Sequence, residues 1–284
     1  FSYKVTNNGI VITAYNGSEA NPVIPSAIDE TAVTAIGSSA FKECTTLTKL
    51  EIPSSITEIG KSAFYNCTGL TEIEIPSSVT TIGGSAFAGC IGLEKLTLNE
   101  GLTTLGSNCF QNTIISSVNI PSTLTSVDVP SYNPHGPFYN CKSLKNVTFN
   151  DKTTMVVSHL FNGCVGLETI TIPDTITTIG NSAFYNCTNL TKLEIPSSIT
   201  EIGNSAFYNC TGLTEIEIPG SVTAIDTFAF SGCTSLEKVI LNEGLTTLGE
   251  KCFANTIISS INIPSTLTTI SVPAYQPRGP FYGS

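Results

Sequence analysis

Ten cysteines and two histidines are the residues of this 284-residue chain best suited to metal binding, redox exchange or nucleophilic attack. A zinc or dithiol centre needs ligands in close pairs such as C-x-x-C, and the chain has none. Instead Cys44, Cys67 and Cys90 lie 23 residues apart, as do Cys141, Cys164, Cys187, Cys210 and Cys233. Cys109 and Cys252 fall in the register of Ala63, and in those turns Thr113 and Thr256 take the usual Cys position. Exchange with Ala and Thr marks Cys as a small interior residue, so buried, reduced thiols are expected. Disulfides between neighbouring turns are the alternative. His135 becomes Arg278 in a second copy of its segment, and His159 holds a slot filled by Ser182 one turn later. Neither lies near a G-x-S-x-G, H-E-x-x-H or phosphate-loop motif. Glu51 and Glu74 have the chemistry of an acid/base pair, yet they recur as Glu194 and Glu217, as any repeated surface would. The expectation is a chain without catalysis, cofactor or metal site; an enzyme is the remote alternative.

The cysteine ladder belongs to a larger pattern. Phe41, Phe64, Phe87, Phe138, Phe161, Phe184, Phe207 and Phe230 each precede a Cys by three residues. From Leu47 the unit reads L-x-x-L-x-I-P-x-x-I-T-x-I-G-x-x-A-F-x-x-C-x-x. A fixed period in the twenties is the mark of a solenoid whose turns bury one another's apolar side. Strand alternation puts Leu50 and Ile52 inward and Glu51 outward, and Pro53 ends the strand. Ile56 and Ile59 make a return side, Gly60 allows a tight corner, and Ala63, Phe64 and Cys67 fill the interior.

A longer period overlies the short one. Thr113–Tyr139 returns 143 residues later as Thr256–Tyr282, so turns from Cys44 recur as a block from Cys187. At the start, Tyr3-Lys4-Val5 and Ile10-Val11-Ile12 flank Asn7-Asn8-Gly9, which predicts a hairpin around an Asn-Gly turn. Such a hairpin would cover the open edge of the first turn. The expected organisation is one solenoid domain over 1–284, with a cap at 1–24 and about eleven repeats at 25–284.

Charge narrows the partner. At −10 and a pI near 4.6 the chain lacks the basic patch that phosphate backbones require, so nucleic acid is not expected. No apolar run reaches the roughly 20 residues of a membrane span. Phe1 is preceded by no Met or signal peptide, which reads as a segment of a longer exported protein.

The I-P-x-x-(I/V)-T-x-I-G-x-x-A-F-x-x-C pattern, as at Ile52–Cys67 and Ile195–Cys210, resembles the 23-residue repeat of BspA-like bacterial surface proteins. The Tyr-rich entry at Tyr3–Tyr15 resembles their usual start. The resemblance implies a leucine-rich-repeat solenoid: a right-handed α/β-type superhelix, rich in β structure, with a parallel sheet on one face and an N-terminal β-hairpin cap. It also implies display outside the cell, adhesion as a class of function, and no catalytic residues. Phe149-Asn150 in place of Ile-Pro is a local departure from the pattern.

Three features are candidate partner-binding positions. Lys49, Glu72 and Lys95 share a register on successive turns, and Lys192, Glu215 and Lys238 repeat the order. Stacked opposite charges stabilise a sheet face, and the same face, with Glu51, Glu74, Glu194 and Glu217, is equally a recognition surface. Tyr65, Tyr139, Tyr185, Tyr208 and Tyr282 follow the core Phe and form either a packed row or a binding stripe. The lengthened turn Pro130–Pro137, with its counterpart Pro273–Pro280, either presents Tyr132, His135, Tyr275 and Arg278 or merely spaces two blocks. The expected protein is a cell-surface adhesin, monomeric, binding an extracellular protein or a glycan without covalent chemistry. An architectural stalk is the alternative.

Overall fold

Each repeat makes one turn with three sides, and the computed structural model describes these turns at residues 1–131, 134–272 and 279–284. The chain divides into two compact units, Phe1–Asn150 and Asp151–Ser284. In the first, strands Glu72–Ile75, Lys95–Leu98, Ser117–Ile120 and Asn146–Phe149 stack in parallel as one face. Leu50, Ile52, Ile73 and Ile75 point into the core while Glu51 and Glu74 stay outside, as strand alternation requires. Asn146–Phe149 keeps full parallel register with Ser117–Ile120, so Phe149 substitutes for the usual Ile without disturbing the turn.

The return side is a second parallel ladder: Thr31–Ile36, Glu58–Ile59, Thr81–Ile82, Thr104–Gly106 and Ser126–Asp128. After Thr31–Ile36 its strands are short, with one inward Ile, Leu or Val in each. Just before each strand a Thr carries the pattern further. Thr57 Oγ1 donates to Thr34 O at 3.2 Å, Thr80 to Thr57 O at 3.2 Å, and Thr103 to Thr80 O at 3.0 Å. The second unit repeats the return ladder, with a Thr spine running from Thr177 to Thr154 and from Thr200 to Thr177. Its strand face forms two sheets, Thr169–Thr171 with Lys192–Glu194, and Glu215–Ile218 with Lys238–Leu241 and Ser260–Ile261. Parallel sheet therefore lies on two sides of the turn rather than one.

The third side contains no helix among the described residues. Ser62 and Asn66 adopt φ of 55° and 56°, and left-handed residues four apart cannot continue a helix. They instead aim alternate N–H groups at the next turn: Ser62 N to Gly84 O at 3.0 Å, Phe64 N to Ala86 O at 2.7 Å, Asn66 N to Ala88 O at 2.9 Å. This is why the slot before Cys, or before Thr113, mostly holds Asn or Gly: Asn66, Gly89, Asn112, Asn140, Gly163, Asn186, Asn209 and Gly232 all have positive φ, and the longer side chain of Glu43 takes 60° there.

Inside, the Phe rings stack. Centroids are 4.9–5.5 Å apart from Phe41 through Phe64, Phe87 and Phe110 to Phe138, and 5.1–5.7 Å apart from Phe161 to Phe281. Strands β1 (Ser2–Thr6) and β2 (Gly9–Ala14) form the expected hairpin cap, and Tyr15 closes the ring column at 5.2 Å from Phe41. The turn itself is Asn7-Asn8, bracketed by the Thr6–Gly9 pair, and Gly9 supplies the positive φ of 116° that opens β2.

Nine of the ten cysteines are buried, and Cys44 is half-buried. Their thiols do more than fill space. Cys67 Sγ donates to Phe41 O at 3.0 Å, Cys90 to Phe64 O at 3.1 Å and Cys210 to Phe184 O at 3.2 Å, each tying a turn to the core Phe one turn back. Thr113 and Thr256, in the Cys slot, donate instead to the Phe of their own turn at 2.9 and 3.0 Å. Burial pushes the Cys141 thiol up to about 11 and those of Cys233 and Cys252 to about 12, so thiolate is scarce at neutral pH. Thiol titration is expected to find Cys44 reactive in the native protein and all ten groups after denaturation without reductant. Loss of the denatured-state thiols would show that the turns are cross-linked.

Candidate functional site

Alternation along the first strand of each turn leaves two outward positions, and stacking aligns them into rows. Glu72 pairs in register with Lys49 and Lys95, and Glu74 with Thr97. The Lys49 ammonium lies 2.7 Å from the Glu72 carboxylate and holds it below the usual carboxylate range by that hydrogen bond and its charge. Glu74 accepts from Asn99 Nδ2 at 3.0 Å. Lys49, Glu51, Glu72 and Glu74, with Pro53, Pro76 and Lys95, line an open depression of ≈ 610 Å³.

The second unit builds the same feature from the same charged residues 143 positions on, with Ile240 in place of Thr97. Lys192, Glu194, Glu215, Glu217, Pro219 and Lys238 line a depression of ≈ 780 Å³. Asn242 Nδ2 donates to Glu217 at 2.9 Å, as Asn99 does to Glu74. The ion pairing differs: Lys192 turns along its own strand to Glu194 at 2.9 Å, leaving Lys238 to meet Glu215 at 3.4 Å. Exposed pairs of this kind are worth at most about 1 kcal/mol, so Lys49 and Lys192 exchange partners at little cost. An exposed face of salt-bridged side chains around an open hollow is suited to non-covalent recognition. The structure thus brings together ten charged positions singled out in the sequence, five in each unit.

The lengthened turn is anchored where it rejoins the solenoid: Asn108 N donates to Gly136 O at 3.1 Å and Phe110 N to Pro137 O at 2.9 Å. His135 stacks on Tyr139 with centroids 3.7 Å apart, and burial lowers its pKa. Tyr132, Tyr275 and Arg278 lie outside the described residues. In the Tyr row, Tyr185 and Tyr208 stack at 4.8 Å, whereas Tyr65 lies under the Lys42 ammonium at 5.8 Å. Among the described residues no group of three or more His, Cys, Asp or Glu is placed to hold a metal, and no helix is long and apolar enough to cross a membrane.

One structural device escaped the sequence reading. Glu100 accepts from Ser122 N and Oγ at 2.9 Å and from Thr123 N at 3.3 Å, and Glu243 does the same with Ser265 and Thr266. The Asn-Glu-Gly triplets at Asn99 and Asn242 were its available signal, since Gly101 and Gly244 take φ of 111° and 116° to bring the carboxylate round. At Glu100 burial opposes ionisation, but the N–H and hydroxyl donors of Ser122 and Thr123 outweigh it. At Glu243 the Ser265 donors lead, with Thr266 adding to them, and its pKa is also lowered. Folded pKa values below the usual 4.5 give stability that is present above that pH and lost as pH falls through the folded values. His159, whose Nδ1 is buried without a partner, has its pKa lowered from 6.5 by burial, so it too favours the fold above 6.5 and opposes it on protonation. Urea midpoints are expected to fall in two stages on acidification. His159→Gln should flatten the upper stage, and Glu100→Gln with Glu243→Gln the lower; unchanged profiles would contradict both assignments.

No curated protein matches the chain. A solved leucine-rich-repeat protein from Bacteroides ovatus is 26% identical, with a TM-score of 0.65 over 97% of this chain and 90% of that one. The pneumococcal vaccine antigen PcpA shares the fold at 19% identity, with a TM-score of 0.53 over 95% of this chain and 72% of that one. A leucine-rich cell-surface protein of Faecalibacterium prausnitzii aligns at 25% identity over 92% of each chain, with a TM-score of 0.42. The model of the BspA-type leucine-rich repeat region matches residues 21–135, 134–211 and 154–278 in six copies, and with that span covered the chain belongs to the BspA-type leucine-rich-repeat family.

Proposed function

We propose that the protein is a non-catalytic adhesion or interaction module, displayed outside the cell, that binds an extracellular protein or glycan through the outward strand face. The observation that carries this reading is the duplicated depression: Lys49, Glu51, Glu72 and Glu74 in one unit, Lys192, Glu194, Glu215 and Glu217 in the other. Solenoid folds stack turns into extended surfaces used for binding, and membership of the BspA-type family supports both display at the surface and an interaction role.

The test is a binding screen against immobilised matrix proteins and host glycans. It compares the parent, a variant with Glu51, Glu74, Glu194 and Glu217 all changed to Gln, and a variant with Tyr132→Ala and Tyr275→Ala. Loss of a hit in the Gln variant alone supports the strand face. Loss in the Ala variant alone moves the site to the lengthened turns, and no hit at all returns the protein to an architectural role.

A further inference from the structure

The two blocks diverge most in size and charge at one corner. Gly83-Gly84-Ser85 of the first block is Asp226-Thr227-Phe228 in the second, and Ser107-Asn108 is Glu250-Lys251. The change runs against the fold. The Asp226 slot is glycine in neighbouring turns because the preceding turn lies close: a Cβ on Gly180 would stand 2.6 Å from Ser158 N. Phe228 has φ of 58° in the slot that the unit's other turns fill with His159, Ser182, Ser205 and Lys251, and the left-handed region disfavours a bulky side chain. Two unfavourable choices side by side point to a role other than packing.

What the corner gains is an aromatic patch with acidic neighbours. The Phe228 ring meets Tyr208 edge-on at 6.4 Å and 78°, and Tyr208 stacks on Tyr185 at 4.8 Å. The first block has Tyr65 alone, with Lys42 and Ser85 in the other two slots. Asp226 and Glu201 line an open depression of ≈ 430 Å³ in the same unit. The patch already holds one cation: the Lys251 ammonium sits 5.1 Å over the Phe228 ring and 2.6 Å from Glu250. Ring faces and carboxylates attract the same ligand chemistry, an ammonium or guanidinium.

We propose that this corner of the second unit docks a basic segment of a partner protein, whose Arg or Lys side chains meet the Tyr185–Tyr208–Phe228 rings and the Asp226 and Glu201 carboxylates. It shares no residue with the strand-face depressions and stands or falls separately from them.

The first block supplies the control, since its own corner folds with Gly-Gly-Ser. Fluorescence anisotropy at physiological salt would follow a labelled Arg-Ser repeat peptide on the full chain, with a Glu-Ser peptide and a neutral chito-oligosaccharide alongside. Phe228→Ser leaves the charge unchanged and is expected to weaken the Arg-Ser peptide about 3-fold; Asp226→Gly with Thr227→Gly and Phe228→Ser should weaken it roughly tenfold. Both variants should unfold at a higher urea concentration than the parent as the strain is released. Absent binding of the Arg-Ser peptide, or unchanged affinity in both variants, would overturn the proposal. A lower urea midpoint would show the triplet to be packing. Binding of the chito-oligosaccharide that disappears in Phe228→Ser would make the corner a glycan site instead.

Discussion

Truncation of Phe64 to Ala is expected to cost about 3–5 kcal/mol, the usual range for a large aromatic removed from a close-packed interior. Phe64 is fully buried between Phe41 and Phe87, with centroids 4.9 Å from each, so the cavity would open on both sides at once. Its carbonyl also accepts the Cys90 thiol at 3.1 Å, and that acceptor stays in place in the variant. The loss is therefore one of packing rather than of the hydrogen bond. Thr71, which is exposed, should cost under about 0.5 kcal/mol when changed to Ala. Chemical denaturation of the two variants measures both values, and comparable losses would contradict the inward assignment of the Phe column.

The second large effect is on binding. Neutralising one depression, by Glu51→Gln with Glu74→Gln, leaves Glu194 and Glu217 intact in the other unit. On a surface dense in partner this should lower apparent affinity by about 10²–10⁴, because the second linked contact is lost while the first is unchanged. In solution, against a monovalent partner, the same variant should keep its intrinsic affinity. Equal affinity of parent and variant on the dense surface, with both folded, would mean that the depressions do not act as a pair.

Much of this was legible because the repeat samples each position many times. Inward Leu50, Ile52, Ile56, Ile59, Ala63, Phe64 and Cys67 were assigned from periodicity and strand alternation, and each is buried. The Lys49–Glu72–Lys95 register followed from the same count of 23. What escaped were interactions that depend on the height between turns. The bond from Cys67 to Phe41 O spans 26 residues, not 23, so periodicity alone does not reveal it. The left-handed slots were present in the sequence as Asn66, Gly89 and Asn112 but carry meaning only once the third side is recognised as turns rather than helix. The hairpin turn moved by one residue, to Asn7-Asn8, because Gly9 is needed as the first residue of β2. The Phe228 corner departs from the pattern it would have to be read from, and its strain appears only in the backbone angles.

The number of partner molecules bound per chain tests the central claim most directly. With a soluble, monovalent form of the partner found in the screen, calorimetric titration should give two per chain for the parent. It should give one for the variant with Glu51→Gln and Glu74→Gln, and one for the variant with Glu194→Gln and Glu217→Gln. A stoichiometry of one for the parent, or of two that survives both pairs of changes, would contradict a protein that presents the same binding face twice.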